Sequence, residues 1–218
     1  LSKSDREGPA VLSTAQRHTN FLDMNRMRQV LSSSDFDLAD LKRKSMTIYL
    51  CLPFDQVGGQ APRWLRLMIT LSLTALSRTK GPVNPGVLFL LDEFAALGPM
   101  RMAERAMAEG RGYGVRMWPI LQDLNQLKDS YKDGWQTFIG NACVVQFFGT
   151  AYVFTAEYVS KMLGKTTVIS TGTSGEHQST SETGRDLMTP DEVMHLGADE
   201  EVLLVRGLRP IRAQKIPY

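Results

Sequence analysis

An α/β fold with a mostly parallel sheet is what this sequence predicts, and three observations predict it. Short, largely apolar runs such as "VLFLL" (87–91) and "ACVVQFF" (142–148) have the composition of strands covered on both faces. Between such runs lie segments with helical periodicity. Glycine and proline punctuate the joins, and 218 residues at 43% hydrophobic are enough for a sizeable core, with one domain as the default.

Taken in order, residues 1–45 form a helical lead-in. "TAQRHTNFLDMNRMRQVL" is helical, "SSSD" is a turn, and "DFDLADLKRK" is a short helix capped by Asp35 or Asp37, with basic residues suited to its C-terminal dipole. Residues 46–168 form the α/β core. "MTIYLCLP" is a β-branched and aromatic strand stopped by Pro53, and "APRWLRLMITLSLTALSR" is a long helix apolar on most faces and therefore buried. After the "TKGPVNPG" loop comes "VLFLL". "GPMRMAERAMAEG" is then a helix that places Met100, Ala103 and Met107 on one face and stops at Gly110.

"VRMWPILQ" is a strand, but Pro119, which cannot donate to a ladder, argues against a central place. A short helix "DLNQLKDSY", the buried strand "ACVVQFFG" and a helix "TAEYVSKMLG" ended by Gly164 complete the core. Within 169–186, 11 of the 15 residues from Ser170 to Gly184 are Ser, Thr or Gly, a composition expected to stay a mobile loop because it cannot repay its ordering entropy. In 187–218, "TPDEVMHL" is a capped helical turn, and "EEVLLVRG" with "PIRAQKI" makes a strand pair around Gly207.

The formal net charge of +2 is too small to mark a nucleic-acid binder. The local basic clusters, Lys42-Arg43-Lys44 and Arg206, Arg209, Arg212, Lys215, read as solvated faces. Cys51 and Cys143 sit in apolar runs, as buried thiols of a reducing compartment do. His18, His177 and His195 are far apart and near no cysteine pair, so no metal site built from protein clusters is expected. No run is apolar for long enough to span a bilayer and no signal peptide precedes the domain. The chain opens on Leu1 rather than Met, so it reads as a soluble piece of a longer protein.

The chemistry concentrates at "VLFLLDEFAAL" (87–97), where a core strand runs into Asp92 and Glu93 and the sequence then turns apolar again. Ligands of parallel α/β sheets bind beyond the carboxyl ends of the strands. There, one carboxylate can hold the water shell of a magnesium ion and its neighbour can orient or deprotonate an attacking water. This is the Walker B arrangement of an ATPase. A strand that ends in an exposed acidic turn fits the same string.

Gln122 ends the next predicted strand, where an uncharged amide can sense a γ-phosphate; a helix cap is its other reading. Arg111, in "EGRGYGVR", stands on a stiff glycine-rich turn from which an arginine can reach a neighbouring subunit's phosphate, or it is a surface residue. "LGKTT" (163–167) imitates the tail of a phosphate loop. The loop's first glycine is replaced by Val159, and the segment follows a helix instead of a strand, so it is rejected.

"LLDEFAALGPM", "EGRGYGVRMWPILQDLNQL", "GTAYVFTAEYVSKMLG" and "LMTPDEVMHLGADEEVLLVRGLRPIRAQKIPY" together resemble the C-terminal part of the type IV secretion coupling proteins, the TraG/VirD-type family related to the FtsK and HerA DNA pumps. The resemblance covers essentially the whole chain, and the closing block is its most specific part. It implies a RecA-like P-loop NTPase core with helices on both faces of the sheet, using ATP and Mg2+. It further implies a homo-hexamer on the cytoplasmic face of the bacterial inner membrane, anchored by helices absent here, that brings relaxase-bound DNA or effector proteins to other components of the secretion channel.

By the same resemblance, Asp92 is the magnesium carboxylate, Glu93 the catalytic base, Gln122 the γ-phosphate sensor and Arg111 the finger. The sequence departs from the family at Ala151-Tyr152-Val153, where many relatives carry Asn or Asp, and in having no phosphate loop. The family's phosphate-loop strand lies between the "VRMWPIL" and "ACVVQFF" strands, so these residues are expected to lack a central strand. Two other readings stand beside a DNA-coupling motor: a pump for effector proteins only, and a non-catalytic interaction or assembly fragment.

Overall fold

The computed structural model describes residues 7–52, 61–81, 85–174 and 177–216. Their contacts divide the chain into two compact units, Leu1–Leu121 and Gln122–Tyr218.

In the first unit, α1 (Glu7–Thr19) has no buried residue and α2 (Asn25–Leu31) follows a 3-10 turn that buries Phe21. The short α3 (Asp40–Arg43) has Ala39 at its N-cap and no side-chain cap bond, so neither Asp35 nor Asp37 caps it as expected; the Asp37 carboxylate instead accepts the Ala39 N–H at 2.9 Å, ahead of the helix. Lys42 has a partner that a solvated face does not explain. Its Nζ donates to Leu76 O (2.7 Å) and Thr79 O (2.8 Å), closing the carbonyl end of α4 (Ala61–Arg78). Burial there pushes the Lys42 pKa down.

The helix α4 buries Ile69, Leu73 and Leu76 but leaves Leu67 and Leu71 exposed, so it is covered on one side rather than on most faces. Residues 46–52 form no strand, and Tyr49 and Cys51 are exposed; Pro53 lies outside the described residues. β-branched composition was not enough, because no described strand lies alongside to pair with.

The strands β1 (Val87–Leu91) and β2 (Val115–Pro119) pair in parallel, Val87 opposite Val115 and Leu91 opposite Pro119. Between them α5 (Arg101–Glu109) buries Ala103 and Ala106, with Met100 buried just ahead of it. Gly110 then presses so closely on β2 that a Cβ would stand 3.1 Å from Val115 O. One face of the pair is covered, whereas Leu88, Leu90 and Trp118 on the other are 49–55% exposed. The unbroken apolar run therefore reflects two apolar faces, of which the described residues cover one. Pro119 fits this place. Ile120 N–H donates toward β1, so the neighbouring Pro119 nitrogen points to the side of β2 that has no described partner, and its missing donor costs the β1–β2 ladder nothing.

In the second unit, α6 (Leu124–Tyr131), α7 (Gln136–Asn141) and α8 (Val153–Leu163) bury Leu127, Phe138, Ala156 and Val159. Trp135 stacks tilted on Tyr158 at 5.1 Å. β3 (Val144–Phe147), β6 (Glu200–Val205) and β7 (Ile211–Gln214) form an antiparallel sheet in the order β3-β6-β7. The expected closing strand pair is thus present, turning at Gly207 with φ +84°. β3 has one described neighbour and Val144 is half-exposed, so it is not the fully buried strand expected. Cys143, just before it, is exposed like Cys51, which corrects the reading of both as buried thiols.

The stretch expected to be a mobile loop is ordered as a ribbon. β4 (Lys165–Ser174) and β5 (His177–Asp186) pair antiparallel from Lys165–Asp186 to Ser174–His177. Thr166, Thr167, Val168, Ile169 and Thr171 are β-branched and the paired residues gain cross-strand partners, which offsets the ordering entropy that composition alone suggests. α9 (Pro190–Met194) carries the full capping box, Thr189 with Glu192. The Thr189 N–H first, and Arg185 second, hold the Glu192 carboxyl below its ordinary range. Arg212, with help from the Gly197 N–H, does the same for Glu200.

The basic residues of the closing block are largely occupied by structure. Arg206 bonds Gly140 O, Arg212 forks onto Glu200, and Lys215 bonds Ala198 O.

Candidate active site: an acidic turn at the carboxyl end of the parallel pair

The β1–β2 ladder continues past both strands and grips the acidic pair from its two sides. Ile120 N–H donates to Leu91 O at 2.9 Å, and Ile120 O accepts from Phe94 N–H at 3.0 Å. Asp92 and Glu93 stand between these two bonds, both exposed, beyond the carboxyl end of β1. The apolar residues behind them explain the sequence pattern. Phe94 and Leu97 belong to a 3-10 turn that tucks both under the unit, Phe94 at 1% exposure, so the chain dives back into the core after presenting two carboxylates.

Arg66 of α4 fastens the far side of this turn, its guanidinium donating to Leu97 O (2.8 Å) and Pro99 O (3.0 Å). Gly98 between them adopts φ +67°, ψ −172°, a region essentially restricted to glycine. Gly98→Ala is therefore expected to destabilise by about 1–3 kcal/mol. A urea midpoint lowered accordingly checks this, and an unchanged midpoint contradicts it.

Glu93 is left-handed, φ 47° and ψ 43°. For a non-glycine residue this conformation costs about 1–2 kcal/mol, and such strain persists where the surroundings over-determine it. Here the Ile120 bonds and the buried Phe94 do so. Asp92 Oδ1 accepts the Glu93 N–H at 3.0 Å, which fixes one carboxylate oxygen.

Gln122 opens the second unit and is exposed. It is not the helix cap. Asp123 caps α6, its Oδ1 accepting from Asn125 N–H (2.6 Å) and Gln126 N–H (3.3 Å). The Gln122 amide oxygen instead accepts from Gln126 Nε2 at 3.4 Å, a partner the sequence reading did not single out, although the i,i+4 spacing on a helix start signals it.

Arg111 lies at the other end of the strands. It sits in the turn Gly110–Tyr113 just before β2, closed by Gly114 N–H to Arg111 O at 3.1 Å, and Gly114 O accepts the N–H of Val87 at the amino end of β1. Four strand steps of roughly 3.3 Å separate the two ends, so about 13 Å of sheet lies between Arg111's turn and the acidic pair. The fold does not bring Arg111 to Asp92 and Glu93 of its own chain. Its side chain is exposed and makes no hydrogen bond or ion pair among the described residues.

Lys165 and Thr166, the phosphate-loop imitation, begin β4 directly after α8, a helix-to-strand order opposite to that of a phosphate loop. Among the described residues, no three His, Cys, Asp or Glu side chains cluster as a metal site, and no helix is long and apolar enough to cross a membrane.

The acidic turn stands at the carboxyl end of a parallel strand pair, the edge at which α/β sheets take their ligands. The comparisons with known proteins carry that to a family. All of residues 1–218 match the family model for type IV secretory system conjugative DNA transfer. Protein VirD4 of Rhizobium radiobacter is 34% identical over 206 residues, 88% of this chain and 29% of that protein. Conjugal transfer protein TraG of Agrobacterium fabrum is 32% identical over 212 residues, 93% of this chain and 32% of that protein.

Among solved structures, the conjugative coupling protein TrwB in its unbound monoclinic form superposes with a TM-score of 0.79 at 16% identity, over 99% of this chain and 51% of that one. TrwB in complex with ADP and Mg2+ gives 0.74, also at 16% identity, over 97% and 50%. The chain belongs to the type IV secretion coupling protein family of conjugative DNA transfer. Its fold is that of TrwB, RecA-like α/β with parallel and antiparallel sheets. The chain spans about a third of the length of the curated relatives it matches and about half of the solved chains.

Proposed function

We propose that these residues supply the water-activating and magnesium-holding side of a coupling ATPase that moves relaxase-bound DNA, or effector proteins, to a type IV secretion channel. The observation that carries the proposal is the strained, exposed Asp92–Glu93 turn clamped by Ile120 at the carboxyl end of β1. Solved TrwB complexes hold ADP with Mg2+ and an ATP analogue, which supports ATP and Mg2+ as the cofactors here.

The residues fit magnesium in part. Hard carboxylate oxygens on an exposed turn suit an ion that keeps most of its waters, and Asp92 retains one oxygen not engaged by the Glu93 N–H. Nothing in the sequence fits the nucleotide phosphates, since no GxxxxGK[ST] loop occurs in it. That part is assigned to other residues of the parent protein.

In this reading Asp92 would hold magnesium through its water shell, and Glu93 would take a proton from the attacking water. Gln122, an uncharged amide, registers the γ-phosphate, and Arg111 acts on the nucleotide of an adjoining subunit in a hexamer. The parent works at the cytoplasmic face of the inner membrane, anchored through other segments. DNA is favoured over effector-only cargo because the matched family model and the TraG relative are both described by conjugal DNA transfer.

The test is the magnesium dependence of ATP hydrolysis by the full-length parent. Asp92→Asn is expected to raise the Mg2+ concentration for half-maximal rate by about 10- to 100-fold, the usual cost of a lost ligand-orienting group. An unchanged magnesium requirement would remove Asp92 from the site.

A further inference from the structure

The buried stripe of α4 begins with a charge. Ile69, Leu73 and Leu76 are buried at helical spacing, and Arg66 stands three residues ahead of Ile69 on the same stripe. Packing alone would put an apolar side chain there, because a partly buried guanidinium needs partners for its N–H groups. Arg66 finds them on the acidic turn's far side. Its Nη1 donates to Leu97 O at 2.8 Å and its Nη2 to Pro99 O at 3.0 Å, so one planar fork holds the two carbonyls that flank Gly98.

Those carbonyls close the 3-10 turn that Glu93 opens. Glu93 O accepts the Ala96 N–H at 2.9 Å, and Ala95 O accepts the Gly98 N–H at 3.0 Å. A run of short bonds therefore leads from the left-handed Glu93 to the residues that Arg66 grips. Ile120 holds the opposite side through the Phe94 N–H. A strained backbone persists only while its surroundings over-determine it, and α4 supplies one of the two supports.

We infer that Arg66 is a positioning residue for hydrolysis: by clamping the end of the turn, it keeps the Glu93 backbone, and with it the carboxylate, in place. The inference rests on Glu93 being the base, as proposed above.

The test uses the full-length parent. Arg66→Met suits the apolar stripe and removes both bonds. It is expected to lower kcat by roughly 10- to 100-fold, the range for a catalytic group displaced by up to about 1 Å. Affinity for Mg-ATP is expected to stay within about twofold, because a phosphate loop elsewhere holds the nucleotide. In the Glu93→Gln background the same change should alter the residual rate by less than about twofold, since groups acting through one step are not additive. Amide hydrogen exchange of the nucleotide-free protein supplies a readout apart from activity. Residues 94–98 are expected to exchange faster, with 87–91 and 115–119 at wild-type rates. Unchanged exchange in 94–98, a wild-type kcat, or an equal fold-loss with and without Glu93 overturns the inference and leaves the nucleotide reading standing. A Glu93→Gln rate close to wild type overturns both. Should Arg66→Met not fold, Arg66→Lys carries the test, keeping the charge but not the fork. Exchange and kcat between wild type and full loss support the inference, and wild-type values of both overturn it.

Discussion

Glu93→Gln in the full-length parent is expected to keep ATP binding and to lose about 10²–10⁴ of the hydrolysis rate, the contribution typical of a general base. The substitution keeps the length and shape of the side chain and removes its negative charge and its ability to take a proton. The site's geometry makes the test clean. Glu93 holds a left-handed backbone where Ile120 bonds both flanks of the turn and Phe94 is buried behind it. The fold should therefore survive, and a changed rate reports chemistry. A steady-state rate within a few-fold of wild type would reduce Glu93 to an acidic residue on a turn.

Arg111→Ala is expected to lower hydrolysis by about 10³-fold or more, the scale of an arginine finger. The placement of Arg111 at the amino end of the β1–β2 pair makes a further demand. If Arg111 is a finger, some 13 Å of sheet between it and its own acidic turn directs it to another subunit's nucleotide. Arg111→Ala subunits and Glu93→Gln subunits should each be inactive alone, whereas mixing them should restore part of the rate, since some interfaces then pair an intact finger with an intact base. If mixing restores nothing above either variant, Arg111 is structural or acts within its own chain.

What the sequence revealed and what it hid follow a physical division. The acidic turn was legible because a five-residue apolar run can end in two charges only where the chain meets solvent, and Phe94 and Leu97 announced its return to the core. The Thr189–Glu192 capping box and the Gly207 turn were legible because their partners lie within a few residues. Lys42 was not, since the carbonyls it closes are 34 and 37 residues away. The same holds for Arg66, whose carbonyl partners are 31 and 33 residues downstream.

Burial was over-read wherever it needed neighbours on both sides. Leu88, Leu90, Val144 and both cysteines are apolar or small, yet the described residues leave them open. The Ser/Thr-rich ribbon was missed for the opposite reason: composition was weighed while pairing was not, and pairing decided. Gln122 and Arg111 were singled out for single-residue chemistry. The structure gives each a defined local setting, but the sequence could not tell that they belong to different compact units.

The central claim is that Asp92 and Glu93 complete a nucleotide site whose phosphate-holding residues lie elsewhere in the parent. Paired calorimetric titrations with Mg-ATP test it most directly, one on the Glu93→Gln parent and one on residues 1–218 alone. Affinity for a nucleoside triphosphate comes mainly from the backbone N–H groups and lysine of a phosphate loop and from the helix that follows it. Two carboxylates offer a polyanion only repulsion, offset weakly through magnesium. The account predicts saturable binding by the parent and none by residues 1–218 up to millimolar Mg-ATP. Low-micromolar binding by residues 1–218 would contradict it and would place a phosphate site within this sequence, with Lys165 and Thr166 the first residues to substitute.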